Sequence, residues 1–208
     1  MWRPGEHEQG WRAASDLRRH LVAGGDLQVM APPVGLRLPA PVDIFADLVL
    51  MHSRFHAANV RPASQTTFIM GNTPGRMMAT AVGSMIGNQI AAKRAERMSA
   101  PQWRQPYAAR TFITRAGIIC LVDGIWSGYE LGRIVQISPE LQSYSVVFTF
   151  ANGDAPLRLA GPWAPWSAVA LAYLAIGRDD LARNPGYAAL GPLNPQVQPP
   201  AARPMLQE

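Results

Sequence analysis

Two histidines, His52 and His56, lie four positions apart in the segment MHSRFHA, a spacing that could bring two imidazoles to one metal ion. On a helix or on a strand, residues at this spacing share a face. A metal centre needs further ligands, and no carboxylate or cysteine cluster accompanies the pair. Asp43 and Asp47 could pair with a histidine, although nothing in their spacing singles them out. We therefore predict no metal site and expect ordinary strand-surface or hydrogen-bonded histidines.

Other recognisable chemistry is missing from the sequence. It contains no Walker loop, Rossmann fingerprint, HExxH motif, nucleophile elbow or EF-hand loop. The single cysteine, Cys120, lies in the apolar run AGIICLV, which predicts a buried structural thiol and excludes an intrachain disulfide. The segment GNTPGRM could offer backbone N–H groups to an anion but lacks the lysine of a P-loop. We predict a protein that is not an enzyme, with no catalytic residues and no small-molecule cofactor.

Positive charge is concentrated in residues 93–115, which we call the basic window. Six basic residues stand against Glu96 alone, so the window carries a formal charge of +5, equal to that of the whole chain. The aromatic residues Trp103 and Tyr107 lie between basic residues of this window. Alternating basic and aromatic residues are typical of proteins that bind single-stranded nucleic acid. The same charges could contact an anionic membrane surface or form a solvated helix end. The predicted anion- or nucleic-acid-binding residues are Lys93, Arg94, Arg97, Arg104, Arg110 and Arg115.

Small residues recur at every fourth position of a predicted inserted helix, residues 74–98, which Thr73 can cap and Pro74 can begin. Gly83 and Gly87 together cost such a helix about 2 kcal/mol relative to alanine, so we expect another backbone to approach closely and offset the loss. That backbone could belong to the protein's own sheet or helix or to a second copy, or the helix could enter a membrane interface. The predicted protein interface consists of Gly75, Ala79, Gly83, Gly87 and Ala91.

The remaining elements predict an antiparallel β-rich domain. Two strands are expected to turn near Ala116–Gly117, and the Asn152–Gly153 pair predicts a tight hairpin between VVFTF and PLRLA. In the segment that follows, Pro165 can begin a helix and Gly177 can end it. Near the N-terminus, WRAASDLRRHLVAGG can form a short helix that ends at the glycine pair.

The stretch RTFITRAGIICLVDGIWSGYELGRIVQI resembles the strand pair of GRAM-type domains, with Thr114 and Arg115 ahead of Trp126 at the matching places. The order of elements over about residues 35–177 is similar to that of the pleckstrin-homology (PH) or GRAM-like fold. The resemblance implies a bent antiparallel sheet of about seven strands, closed at one end by a C-terminal helix. The inserted helix departs from that pattern, and no phosphoinositide-type basic loop can be carried over.

These features together predict an α+β fold: a partly open antiparallel β-barrel or sheet, PH/GRAM-like, with an inserted Gly/Ala-rich helix and a C-terminal capping helix. We expect a polar, loosely held N-terminal segment (1–25), a single domain (26–177) and a Pro-rich flexible tail (178–208). The 48% hydrophobic content is enough for a core, while no segment offers the roughly 20 apolar residues of a membrane span.

The predicted function is a non-enzymatic binding or assembly module that acts through protein–protein association, with a copy of itself or with another protein. Its basic window could also contact an anionic membrane surface. The alternative is a nucleic-acid-binding protein that uses the basic window. We expect a cytoplasmic location, with peripheral contact to a membrane left open, because the N-terminus lacks an apolar signal region.

Overall fold

The computed structural model describes residues 2–33, 42–56, 101–151 and 153–192. The chain divides into two compact units, one formed by Met1–Arg54 with Gln105–Glu208 and the other by Phe55–Arg104. The fold described below is that of the first unit. The predicted inserted helix and its interface residues, from Gly75 to Ala91, lie outside the described residues.

Seven strands in the described part of the chain form one open antiparallel sheet, which agrees with the predicted α+β class. The strands are β1 (Ile44–His56), β2 (Gln102–Thr114), β3 (Gly117–Val122), β4 (Ile125–Glu130), β5 (Ile134–Glu140), β6 (Ser145–Phe150) and β7 (Leu157–Ala160). Their order in the sheet is β4-β3-β2-β1-β7-β6-β5. Strand β1 is therefore central, and β4 and β5 are the two edges.

Local turn chemistry fixes the hairpins. Strands β6 and β7 pair antiparallel, with Val146 opposite Leu159, so the predicted pairing is confirmed. Residues 151–156 separate the two strands, so their connection is longer than the tight turn that was predicted. The turn between β2 and β3 lies where it was predicted, because β3 begins at Gly117. Gly117 has a φ of 137°, and a Cβ atom there would lie 2.1 Å from the Tyr129 carbonyl oxygen, so this position requires glycine.

Two helices pack together beside the sheet: α1 (Glu6–Val22) and α2 (Ala164–Arg183). Helix α2 has Pro165 in its first turn, as predicted. Gly177 adopts a non-helical conformation, with φ 81° and ψ −178°, but the helix resumes beyond it and continues to Arg183. The first helical segment of α2 therefore ends at Gly177, as predicted, and a second segment follows after the kink.

The prediction of a flexible tail is wrong for residues 178–192. Leu181 and Tyr187 are fully buried, and the Tyr187 hydroxyl donates a hydrogen bond of 3.1 Å to the Ala168 carbonyl. A short 3₁₀ helix, Pro185–Leu190, holds this segment against the rest of the unit. The prediction rested on the overall composition of the tail. A few large apolar side chains are nevertheless enough to anchor residues 178–192 to the rest of the unit. Residues 193–208 lie outside the described part.

The N-terminal segment is likewise packed rather than loosely held. Ala14 and Leu21 are fully buried on α1, and Gly10 lies so close to α2 that an added Cβ atom would stand 1.9 Å from the Pro162 carbonyl oxygen. Apart from the buried Arg18, the charged residues of α1 lie on its outer side, and their number concealed the narrow apolar face. The helix ends at Val22, just before Gly24 with its φ of 105°.

The hydrophobic core lies between the inner face of the sheet and α2. Phe148, Leu157 and Leu159 are fully buried on β6 and β7, and Val169 and Leu171 are fully buried on α2. Burying each such side chain contributes about 1.5–3 kcal/mol, so this layer supplies much of the stability of the unit.

Candidate binding site

A polar cluster interrupts the apolar inner face of the sheet. We call it the His52–Arg54 cluster. His52 and Arg54 stand on the same face of β1, because alternate residues of a strand share a face. The other members come from β2, β4 and β6, and they are Tyr107, Tyr129 and Phe150.

His52 is buried, with only 2% of its surface exposed. Its Nε2 atom lies 2.9 Å from the Tyr129 hydroxyl, and its ring stacks on Tyr107 with 5.8 Å between centroids. Its Nδ1 atom is buried and has no hydrogen-bond partner. Burial lowers the pKa of His52 below its usual range, and the Arg54 guanidinium acts in the same direction. The imidazole is therefore neutral at pH 7.

Arg54 is half-buried above two aromatic rings. Its guanidinium carbon lies 5.1 Å from the centroid of Tyr129 and 5.7 Å from that of Phe150, distances typical of cation–π contacts. Among the described residues, no carboxylate forms an ion pair with it. The faces of aromatic rings stabilise a buried positive charge less than a carboxylate would. The Arg54 guanidinium can therefore still bind an anion.

Tyr129 joins the two ends of the curved sheet. It belongs to β4 at one edge, yet its ring stacks on Phe150 of β6 with 5.7 Å between centroids. Burial raises the pKa of Tyr129, although Arg54 opposes this shift. The hydroxyl therefore remains protonated at neutral pH and can donate a hydrogen bond.

Cys120 borders this cluster on β3 and is fully buried, as predicted. Its Sγ atom lies 3.6 Å from the Thr111 hydroxyl. Burial raises the pKa of the thiol to about 11, so almost none of it is thiolate at neutral pH. This environment suits a structural cysteine and not a nucleophile.

Two arginines of the basic window are paired with aspartates of β1 or of the residues just before it. Arg110 donates from Nε and from a terminal nitrogen to the two carboxylate oxygens of Asp47, at 2.9 and 2.6 Å. Arg115 donates from Nε to Asp43 at 2.7 Å. The two aspartates that the sequence offered as partners for a histidine thus bind arginines. These contacts neutralise much of the charge that Arg110 and Arg115 were expected to present.

The rest of the basic window is described only in part. In the second compact unit, Arg104 donates from Nε to the His56 carbonyl oxygen at 3.0 Å, and Trp103 packs edge-on against Phe55. Lys93, Arg94 and Arg97 lie outside the described residues. Within the described ranges, no three His, Cys, Asp or Glu side chains come together as a metal-binding group.

A second feature is the edge of the sheet at β4, which we call the β4 edge surface. It consists of Ile119 of β3 with Trp126 and Gly128 of β4, which share the outer face, and of Ile125, which lies on the other face of β4. Ile125 is 70% exposed and Trp126 is 43% exposed. A shallow depression of about 200 Å³ lies beside Ile119 and Gly128. In the part of the chain that the structure describes, β4 has a hydrogen-bonded neighbour, β3, on one side only. This edge therefore presents both apolar surface and free backbone groups.

The opposite edge, β5, is built differently. The register of β5 shifts between Ile134 and Gln136, and Pro139 has no backbone N–H to donate. A bulge and a proline are two devices by which natural sheets discourage pairing at an edge. Strand β4 pairs with β3 in unbroken register from Glu130 to Ile125 and contains no proline. Of the two edges, β4 is thus the one suited to receive another strand.

Some of these residues have a local signal in the sequence and others have none. The spacing of His52 to His56 singles out His52, and the resemblance singles out Trp126. Arg54 lies two residues after His52 and could have been assigned to the same face of a strand. Tyr129 could not have been assigned to the cluster, because its contact with His52 spans 77 residues.

Comparison with known proteins assigns no family: no family model, curated protein or solved structure matches the chain. Among the described helices, none combines the length and the apolar character needed to cross a membrane.

Proposed function

We propose that this chain is a non-enzymatic binding and assembly module that associates with another protein chain through the β4 edge surface, and that the partner is a second copy of itself. The observation that carries the proposal is the position of Gly128. This residue lies inside an exposed edge strand and next to the half-exposed Trp126.

Nothing in the described part of the chain requires glycine at this position. Gly128 is not among the residues with positive φ, and an added Cβ atom would meet no described atom within 4 Å. A glycine inside a strand weakens it and often marks a place where another backbone comes close. An approaching strand would fill the depression beside Gly128 and cover Trp126, and so offset that cost.

Self-pairing suits the composition of β4. Its sequence, IWSGYE, carries no charge until Glu130 at its end. Two copies related by a two-fold axis could align antiparallel without opposing like charges at the centre of the contact. The exposed rings and branched side chains would then form the apolar middle of the interface, as aromatic residues commonly do.

The PH/GRAM-like architecture remains part of this proposal. Seven antiparallel strands followed by a C-terminal helix support it. The predicted interface along Gly75, Ala79, Gly83, Gly87 and Ala91 would provide a further contact for the same partner. Contact of the basic window with an anionic membrane surface would depend on Lys93, Arg94, Arg97 and Arg104. We do not extend the proposal to nucleic acid, because Arg110 and Arg115 are already paired with aspartates.

Light scattering after size-exclusion chromatography tests the proposal over a concentration series. The wild-type mass should rise toward twice the 22.6 kDa of one chain. Trp126→Lys should shift the protein to the monomer, because a charge placed on an edge strand opposes pairing. Val49→Lys is the matched control: Val49 is 48% exposed but stands on the central strand, so its variant should still associate. A wild-type protein that stays monomeric throughout would contradict self-association.

A further inference from the structure

We propose that Arg54, together with Tyr129 and His52, forms a binding site for a single carboxylate group. The inference is independent of the β4 edge surface and concerns the inner face of the same sheet.

Arg54 differs from three other arginines of the same compact unit. Arg110, Arg115 and Arg158 each form an ion pair with an acidic side chain: Asp47, Asp43 and Glu140, respectively. Arg54 is half-buried, and its guanidinium lies against the rings of Tyr129 and Phe150 and close enough to the Tyr129 hydroxyl for a hydrogen bond, with no ion pair among the described residues. A partly buried charge without a counterion is costly. An incoming anion would remove that cost.

The neighbouring groups also have unused hydrogen-bonding capacity. His52 is 2% exposed, and its Nδ1 atom is buried without a partner, which is uncommon in folded proteins. The Tyr129 hydroxyl lies 2.9 Å from the other ring nitrogen of His52. A hydroxyl has one donor hydrogen and two acceptor lone pairs, so Tyr129 can contact a ligand as well as His52. The Tyr129 hydroxyl uses part of the donor capacity of the Arg54 guanidinium, and the remaining N–H groups can bind a carboxylate.

The charge of the cluster selects a carboxylate over a phosphate. Arg54 is its one cation, since His52 is neutral when buried beside it. A carboxylate carries one negative charge and matches the guanidinium fork with two parallel hydrogen bonds. A phosphate monoester carries nearly two charges at neutral pH and would leave one uncompensated among the rings of Tyr107, Tyr129 and Phe150. At the margin of the cluster, the Tyr107 hydroxyl donates a long hydrogen bond, of 3.4 Å, to Asp123.

Two sources could supply such a group: a small free acid, or the carboxylate of a polypeptide chain end. Calorimetric titrations at constant ionic strength should compare benzoate with inorganic phosphate, and a short peptide ending in Phe with its C-terminal amide. We expect saturable binding of benzoate, of the free-acid peptide, or of both, and weaker binding of phosphate and of the amide. Binding of the peptide acid alone would identify a chain end as the source.

Variants assign the binding to the cluster. Arg54→Gln should weaken binding by about tenfold or more, because the charged and bidentate contact is lost. Tyr129→Phe should weaken it by a smaller factor. Arg12→Gln is the charge-matched control, since Arg12 lies on the exposed side of α1, and its binding should equal that of the wild type. Circular dichroism should establish that each variant is folded.

A second measurement needs no variant. The Nε–H resonance of Arg54 in the wild-type protein should shift on addition of the bound carboxylate, in proportion to saturation. The inference is overturned if none of the carboxylates binds saturably, if Arg54→Gln binds as tightly as the wild type, or if phosphate binds more tightly than benzoate. An unshifted Arg54 resonance in the presence of a bound carboxylate would overturn it as well.

Discussion

Arg18 of α1 and Arg178 of α2 each donate hydrogen bonds to carbonyls at the C-terminal end of the other helix. Arg18 reaches the Ala182 carbonyl at 3.2 Å and, at 3.1 Å, the carbonyl of Gly191, which caps the short 3₁₀ helix that follows α2. Arg178 reaches the carbonyls of Leu21 and Gly25, at 2.7 and 3.0 Å. The last carbonyls of a helix lack hydrogen-bond donors within the helix and carry partial negative charge. Each arginine supplies the missing donors and a positive charge that stabilises this end.

This exchange requires the two helices to run parallel. Near the start of α1, Gly10 lies against Pro162, just ahead of α2, and near its end Arg18 contacts Ala182. Both C-termini therefore lie side by side, where each can receive an arginine from the other. The contact explains why the N-terminal segment and residues 178–192 are ordered together.

Replacement of Arg18 by alanine should lower the free energy of unfolding by about 2–4 kcal/mol, because two charged hydrogen bonds are lost and buried carbonyls are left unpaired. Arg18 is almost fully buried. Urea denaturation would measure the loss. Arg12→Ala on the exposed side of α1 is the control and should cost less than about 1 kcal/mol, since an exposed ion pair contributes little. An Arg18→Ala variant as stable as the control would contradict the role assigned to this pair.

Gly10→Ala should destabilise the protein even though alanine is the better helix former by about 1 kcal/mol. The added methyl group would stand 1.9 Å from the Pro162 carbonyl oxygen, a distance that forces α1 away from the residues preceding α2. The midpoint of thermal unfolding should fall. A rise in the midpoint would mean that helix propensity outweighs the close contact, and that α1 does not depend on its position beside Pro162.

The sequence was informative where local chemistry decides the structure. The pairing of β6 with β7 follows from two β-forming runs separated by turn-forming residues, and the first turn of α2 follows from Pro165. Each of these signals lies within a few residues of its effect. Gly177 shows the limit of this reasoning: the glycine breaks the local conformation, but packing of Leu181 allows the helix to continue.

The candidate sites depend on contacts between residues far apart in the sequence. The bond between Arg110 and Asp47 spans 63 residues, and that between His52 and Tyr129 spans 77. No local pattern specifies either one, because strand order decides which side chains meet. The charge of the basic window could be counted from the sequence. Its partial neutralisation by Asp43 and Asp47 became visible only once β1 and β2 were known to be neighbours.

Cys120 should be unreactive in the folded protein. Its side chain is fully buried, and burial raises the pKa of its thiol to about 11, so both access and thiolate content are low. An aromatic disulfide reagent should modify it only at the rate of unfolding, and addition of denaturant should accelerate the reaction strongly. Rapid modification without denaturant would show that this part of β3 is open to solvent.

His52 should make the stability of the protein depend on pH. Burial and Arg54 lower the pKa of its imidazole in the folded chain, so between the folded pKa and the unfolded value of 6.5 the unfolded chain binds more protons. The free energy of unfolding should therefore fall as the pH is lowered through that range, and His52→Gln should show a shallower decline. Urea denaturation at about pH 7.5 and pH 5.5 would measure both slopes. His20→Gln on the exposed end of α1 is the control for general acid effects. Equal slopes in the wild type and in His52→Gln would show that His52 is protonated as readily in the folded chain as in the unfolded one.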